Sequence, residues 1–191
     1  MRKLIGAMKM SIDGKIEGPS GVADWVEAWS DDYQLSPQID ACVIGGGMYP
    51  GYEIYWTAIQ NFTGEPLPMT GKLPSPEEIA WGKLAARTPH YVLSRSAASA
   101  QWPQTRFLRD IEELAVLKRQ PGKDIYLMGG ARVTAALIDA GLVDELRLIL
   151  YPLIAGEGKA LFATLTARHG LALQGMRELS GGRVGLTYRL V

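Results

Sequence analysis

Two places in the chain put glycines where a strand-like run gives way to something else. At the first, Ile125-Tyr126-Leu127-Met128 is an apolar run of buried-strand length, and Gly129 and Gly130 follow it. Ala131-Arg132-Val133-Thr134-Ala135-Ala136-Leu137-Ile138 then carries apolar residues at helical spacing, with Gly141 placed to end the helix. A corner without side chains lets a ligand reach the backbone. The first helical N–H groups point at that ligand with the positive end of the helix dipole behind them. Such a corner suits an anion, for instance the pyrophosphate of a dinucleotide, although a turn that needs glycine for geometry alone would read the same. Arg132 favours the anion over a merely solvated first-turn residue, because a cation in a first helical turn is unfavourable unless negative charge is bound there. At the second place, the strand-like run Asp40 to Ile44 leads straight into Gly45, Gly46 and Gly47, a corner of the same construction.

A third group could handle protons. Trp25, Trp29 and Tyr33 fall at i, i+4 and i+8, which predicts one aromatic face of a helix over Asp24 to Tyr33, ending by Pro37. Asp31 and Asp32 lie off that stripe. A carboxylate in an aromatic-lined pocket would have its pKa raised by burial and could serve a reaction; the alternative is two solvated helix residues. Metal chemistry is not expected, since His90 and His169 are far apart and stand in no ligand spacing. No nucleophile elbow, P-loop or G-x-G-x-x-G corner occurs. The single cysteine, Cys42, excludes an intramolecular disulfide and reads as a buried thiol.

These residues need a scaffold. Lys3 to Met10 reads as a first, central strand, followed by an Asp13-Gly14 turn and a loop at Gly18 to Gly21. Ser75-Pro76-Glu77-Glu78 opens a helix that stops before Pro89, and His90 to Ser94 is a strand that leaves through the polar loop Ser94-Arg95-Ser96. Asp110 to Arg119 is an amphipathic helix, and Asp144 to Leu150 is a strand that Pro152 closes. Ala155-Gly156-Glu157-Gly158 is a glycine loop. Leu171 to Glu178 and Arg183 to Leu190 alternate as a hairpin across Ser180 to Gly182. Between Tyr49 and Thr70, Pro50, Gly51, Gly64, Pro66 and Pro68 allow only a short turn of helix at Tyr55 to Gln60. The expected architecture is α/β in three layers, a mixed and mostly parallel sheet with a C-terminal antiparallel hairpin.

Composition bounds the rest. At 191 residues the chain, 1–191, suits one domain with a substantial core. Twenty basic and twenty acidic residues give a net charge of zero, and no like-charge block suggests a nucleic-acid surface. No apolar stretch reaches membrane-spanning length and no secretory leader opens the chain, so a cytoplasmic protein is expected.

Four segments carry a family resemblance. They are Met10-Ser11-Ile12-Asp13-Gly14-Lys15-Ile16, the strand and glycines from Val43 to Gly47, Val92-Leu93-Ser94-Arg95, and the run from Ile125 through Gly129-Gly130 and Asp144-Glu145-Leu146 to Gly156-Glu157-Gly158. With these, the chain resembles the dihydrofolate reductase-like superfamily, in the branch of the riboflavin-biosynthesis reductase domain. The resemblance implies a reductase that binds NADPH and passes hydride to a small heteroaromatic or carbonyl-type substrate. It implies that Gly129, Gly130, Ala131 and Arg132 hold the pyrophosphate and adenosine side, next to Met128. Ser94 and Arg95 would sit at the adenine ribose and its 2′-phosphate, Gly45, Gly46 and Gly47 under the phosphates, and Ala7 and Ile12 at the nicotinamide. The folate enzymes' acid on the first helix has its nearest counterparts in Asp31 and Asp32. A homodimer paired through the Asp144–Gly158 end of the sheet is the family's usual arrangement.

Two departures stand out. Gly46 takes the place of an arginine that grips the 2′-phosphate in dihydrofolate reductases, and Met128 replaces an acid found before the paired glycines in the riboflavin-pathway enzymes. Both leave room for a dinucleotide-binding protein without turnover.

Overall fold

The computed structural model describes every residue except Glu27, Ala97 and Ala98. In chain order its regular elements are β1 (Leu4–Ser11), β2 (Lys15–Glu17), β3 (Ile39–Gly45), α1 (Tyr49–Gln60), α2 (Pro76–Ala85), β4 (His90–Leu93) and β5 (Thr105–Leu108). There follow α3 (Ile111–Arg119), β6 (Asp124–Gly129), α4 (Ala131–Asp139), β7 (Glu145–Tyr151), β8 (Lys159–Ala160), β9 (Leu171–Leu179) and β10 (Arg183–Leu190).

The apolar runs of β1, β3 and β6 are long enough to demand burial on both faces of a sheet. Successive side chains deliver it. Ile5, Cys42, Ile44, Tyr126 and Met128 enter one core, and Leu4, Ala41, Val43, Ile125 and Leu127 enter the other. Tyr52 and Trp56 of α1 and Trp81 of α2 close the first; Leu114 and Leu117 of α3 and Leu137 and Ile138 of α4 close the second. Three layers result. The sheet runs β5-β4-β3-β6-β1-β7-β10-β9. Its first six strands are parallel, and β10 pairs antiparallel with both β7 and β9. The mixed, mostly parallel sheet with its terminal hairpin is therefore as the sequence led us to expect. No helix of the described residues is long and apolar enough to cross a membrane.

Two expectations need correction, and one edge strand is not legible in the sequence. Residues 24–33 form turns and bends instead of a helix; Glu27, inside that span, lies outside the described residues. Short polar side chains take over the backbone's bonding there: the Asp31 carboxylate accepts the N–H groups of Leu35 and Ser36, each at 3.0 Å, and the Ser30 hydroxyl donates to Asp32 at 2.6 Å. Conversely, α1 is a full helix that includes Pro50 and Gly51. Proline fits a first helical turn, whose N–H has no partner in any case, and the buried stripe Tyr49, Tyr52, Glu53, Trp56 and Ile59 supplies the packing. Finally, β5 is a four-residue edge strand paired only with β4, too short for its pattern to register.

Where caps are written into the sequence they form. Ser75 Oγ accepts the Glu78 N–H at 3.1 Å, and the Glu78 carboxylate accepts the Ser75 N–H at 2.8 Å. The same carboxylate also accepts the Tyr55 hydroxyl at 2.7 Å and the Trp29 N–H at 3.2 Å. One buried acid thus caps α2 and anchors an irregular segment beside it.

Candidate functional site

β3 and β6 are parallel neighbours, and both end in glycine. From β3 the chain turns to the α1–α2 side of the sheet and from β6 to the α4 side, so a crevice opens between the two strand ends. Ligands of open α/β sheets bind at such switch points. A cavity of about 1040 Å³ fills this one.

The glycines shape its floor. A Cβ on Gly45 would stand 3.0 Å from Val133 Cγ2 of α4, so glycine lets the two corners pack closely without displacing Val133. Gly129 has φ +115° and a Cβ there would meet Met8 Cε at 2.8 Å; the bond to Gly130 is cis. At Gly47 and Gly130 a Cβ would meet nothing within 4 Å, and because both residues line the cavity that free space belongs to it.

Two helices begin at this floor. Neither α1 nor α4 has a side-chain cap, and neither has an acid in its first turn. The first turns of α2 and α3 do not line the cavity. They carry caps from Ser75 and Asp110 and acids at Glu77, Glu78, Glu112 and Glu113. The sequence thus satisfies the helix starts that face elsewhere and leaves bare the two that face the cleft. A bound anion would supply the missing acceptors, and a dinucleotide pyrophosphate fits that need and the glycine cradle together. Arg132, exposed on the first turn of α4, lines the same space.

The other end is aromatic. Trp29, Tyr33, Tyr52, Trp56 and Tyr126 line it. Trp29 packs edge-on to Trp56 at 5.8 Å between ring centroids and against Trp81 at 4.9 Å, while Tyr33 lies 6.2 Å from Tyr126. Burial pushes the Tyr33 and Tyr126 hydroxyls well above their ordinary range, so both stay neutral. Lys9 of β1 lines the same cavity, with a side chain only 8% exposed. It donates to Ser30 Oγ at 2.9 Å and lies 3.6 Å from Asp32 Oδ2.

The ribbon of β2 and β8 forms a wall, with Ile16, Glu17, Lys159 and Ala160 lining the cavity and Lys159 ion-paired to Glu17. Asp13 ties this wall down. It accepts the Ser11 hydroxyl at 2.6 Å and the N–H groups of Ala155 and Gly156, each at 2.9 Å. Those bonds, the Ser11 hydroxyl first, hold its carboxyl at about 2. With its pKa depressed on folding, Asp13 contributes stability above the ordinary carboxylate pKa and loses it as pH falls through about 2. Asp13→Asn should therefore melt below the wild type by a constant margin above about pH 4, narrowing toward pH 2. Thermal melts across that range would show it; an undiminished margin at pH 2 would count against the tie.

Of the residues singled out from sequence, Ala7, Gly45, Gly46, Gly47, Ser94, Met128, Gly130, Ala131 and Arg132 come together around the cavity. Gly129 is buried beneath it against Met8. Ile12, 57% exposed, and Arg95, also exposed, do not line it. Nor do Asp31 and Asp32. Asp31 caps the turn at Leu35, and Asp32 faces a second cavity of about 280 Å³. The raised pKa expected of such an acid is reversed at Asp32: burial alone would push it up, but the Ser30 hydroxyl, Lys9 and Arg183 outweigh burial and hold it below the usual range. Lys9 was not singled out. Its one signal is a charge in the middle of an apolar strand.

Comparison with known proteins follows the same lines. Residues 2–184 match the family model described as the RibD C-terminal domain. The uncharacterized protein YyaP of Bacillus subtilis (strain 168) is 34% identical over 191 residues, covering 98% of this chain and 94% of its own. Among solved structures, a protein of Shewanella sp. PV-4 described under riboflavin biosynthesis matches at TM-score 0.70 and 16% identity, with 99% of each chain covered. Dihydrofolate reductase from Enterococcus faecalis, solved with NADP(H) and RAB-propyl, matches at TM-score 0.60 and 15% identity, covering 98% of this chain and 96% of its own. At those identities the structural likeness speaks for the fold.

Proposed function

The chain belongs to the RibD C-terminal domain family and has the dihydrofolate reductase-like fold, and from that premise we propose that it is an NADPH-dependent reductase of a small heteroaromatic or carbonyl-type compound. The observation that carries this reading is the pair of uncapped helix starts, α1 and α4, meeting over a glycine floor. When bound there, the dinucleotide supplies the hydride. The protein's part is to place it. The backbone N–H groups of Gly130 to Arg132 and the glycines Gly45 to Gly47 take the pyrophosphate, and Ala7 and Met128 border the nicotinamide end, with Ile12 at the turn beyond β1. Ser94 serves the adenine ribose, and Arg95, exposed next to it outside the cavity's lining, reaches in from the rim only when the cofactor is bound. With glycine at 46, selection of the 2′-phosphate falls to Arg132 and Arg95, whose guanidinium groups can grip phosphate in two-point fashion.

Titration with NADPH and with NADH, followed through quenching of tryptophan emission, tests the reading. NADPH is expected to bind more tightly, and Arg132→Ala to weaken it by roughly tenfold while narrowing the gap to NADH. Equal affinity for the two would remove the 2′-phosphate contact from the account, and no binding of either would sink the reductase reading.

A second reading, a dinucleotide-binding protein without turnover, draws on Met128 and Gly46 and on the position of Asp31 and Asp32 outside the cleft. It predicts tight NADPH binding and no oxidation of the cofactor by any pterin, pyrimidine or flavin-precursor acceptor.

A further inference from the structure

Among the described residues at the aromatic end of the cleft, Lys9 joins hydrogen-bond capacity to a full charge. We propose that Lys9 holds the substrate, its ammonium donating to a ring carbonyl oxygen or ring nitrogen on the edge of a flat heterocycle lodged among Trp29, Tyr33 and Tyr126. This rests on the reductase reading and names the group that meets the substrate.

The geometry is specific. The bond to Ser30 Oγ at 2.9 Å uses one of the three ammonium hydrogens, and Asp32 Oδ2, at 3.6 Å, is beyond hydrogen-bond reach. The amine therefore keeps hydrogens not committed to Ser30, and Lys9 is among the residues that line the cleft. Asp32 Oδ2 is itself taken by the Ser30 hydroxyl and by Arg183 Nη1, both at 2.6 Å. One carboxylate thus stands against two cations, Lys9 and Arg183. The next acid, Glu78, spends its oxygens on Ser75, Trp29 and Tyr55. Burial draws the lysine's pKa down, Asp32 pushes it back up, and Arg183 lowers it further. An electron-rich edge is what this floor lacks. As reduction gathers electron density on the bonded atom, the fixed positive charge stabilises it without moving. Ser30 and Asp32 are positioning residues, and the flanking rings select a planar ligand.

Lumazine, a planar ring dione that fluoresces, is the probe. It is titrated into protein saturated with NADP⁺, for wild type, Lys9→Met and Lys9→Arg, with NADPH binding measured separately on each. The wild type is expected to bind lumazine, Lys9→Arg to bind it more weakly, and Lys9→Met to lose roughly ten- to hundredfold. NADPH binding should be the same in all three within about twofold, since the hydrogen bond and ion pair of Lys9 go to Ser30 and Asp32 and not to the glycine corners. Arg183 remains on Asp32 in Lys9→Met, so the fold should hold. If that variant melts far below the wild type, Lys9→Gln, which keeps a donor but no charge, takes its place. Undiminished lumazine binding by the variant overturns the proposal, and so does a wild-type complex that ignores lumazine. Failure of the wild type to bind NADPH would instead sink the reductase reading, and lumazine titrated into the protein alone would then decide the role of Lys9.

Discussion

A Gly130→Ala variant should melt like the wild type and bind NADPH roughly tenfold or more weakly. At φ −43° and ψ 163° the residue sits just outside the extended region but on the negative-φ side, free of left-handed strain, and its Cβ would meet no protein atom within 4 Å. Restriction of the unfolded chain offsets the small cost of that conformation, so stability should stay about level. What the methyl enters is open space of the cavity at the start of α4, where the pyrophosphate belongs in this account. Gly129→Ala is the counterpart. There φ is +115° and the Cβ would press on Met8 Cε and Sδ at 2.8 and 2.9 Å. Met8 is flexible and can yield in part, but the backbone strain cannot be relieved. A loss of about 2 kcal/mol of stability is expected together with weakened binding. Calorimetry and NADPH titration of the two variants separate the effects. A Gly130→Ala protein that binds NADPH as the wild type does would place the pyrophosphate elsewhere.

The larger structural effect is expected at Gly158. This residue has φ +121°, and a Cβ would run into the carbonyl oxygen of Glu17, with the Glu17 carbonyl carbon and Gly18 Cα each 3.0 Å away. The obstacle is backbone, so no rotamer change relieves it. Either β2 moves away from β8 or the 155–158 loop refolds. The combined strain and overpacking should cost about 3 kcal/mol, a drop in melting temperature of roughly 6–12 °C for a chain of this length. Because β2 and β8 wall the cleft through Ile16, Glu17, Lys159 and Ala160, ligand binding should fall with it. A variant that melts within about 2 °C of the wild type would show that the wall is soft.

The sequence announced these features unevenly, for physical reasons. β1, β3 and β6 were legible because strands buried on both faces must be apolar throughout, and the corners at Gly45 and Gly129 because paired glycines directly after such a strand mark a turn with no side chains. That the two corners face one another was not legible, since it depends on β3 and β6 being neighbours in the sheet. α1 was obscured by Pro50 and Gly51, which break a helix interior but not a first turn. The spacing of Trp25, Trp29 and Tyr33 suggested a helix, yet Ser30, Asp31 and Asp32 satisfy backbone and one another in its stead. Trp29 and Tyr33 still reach the cleft, carried by an irregular segment that Glu78 anchors. Lys9 was hidden by the rule that lysines sit in water. Only the packing shows it enclosed.

The central claim is that the cleft between β3 and β6 receives a nicotinamide dinucleotide across its glycine floor. A crystal structure of the protein grown with NADPH tests it most directly. The account predicts the pyrophosphate between Gly45–Gly47 and the N–H groups of Gly130 to Arg132, with the nicotinamide directed past Ala7 toward the aromatic end. NADPH bound elsewhere, for instance in the cavity at Asp32 and Arg147, with the glycine floor filled only by water, would contradict it.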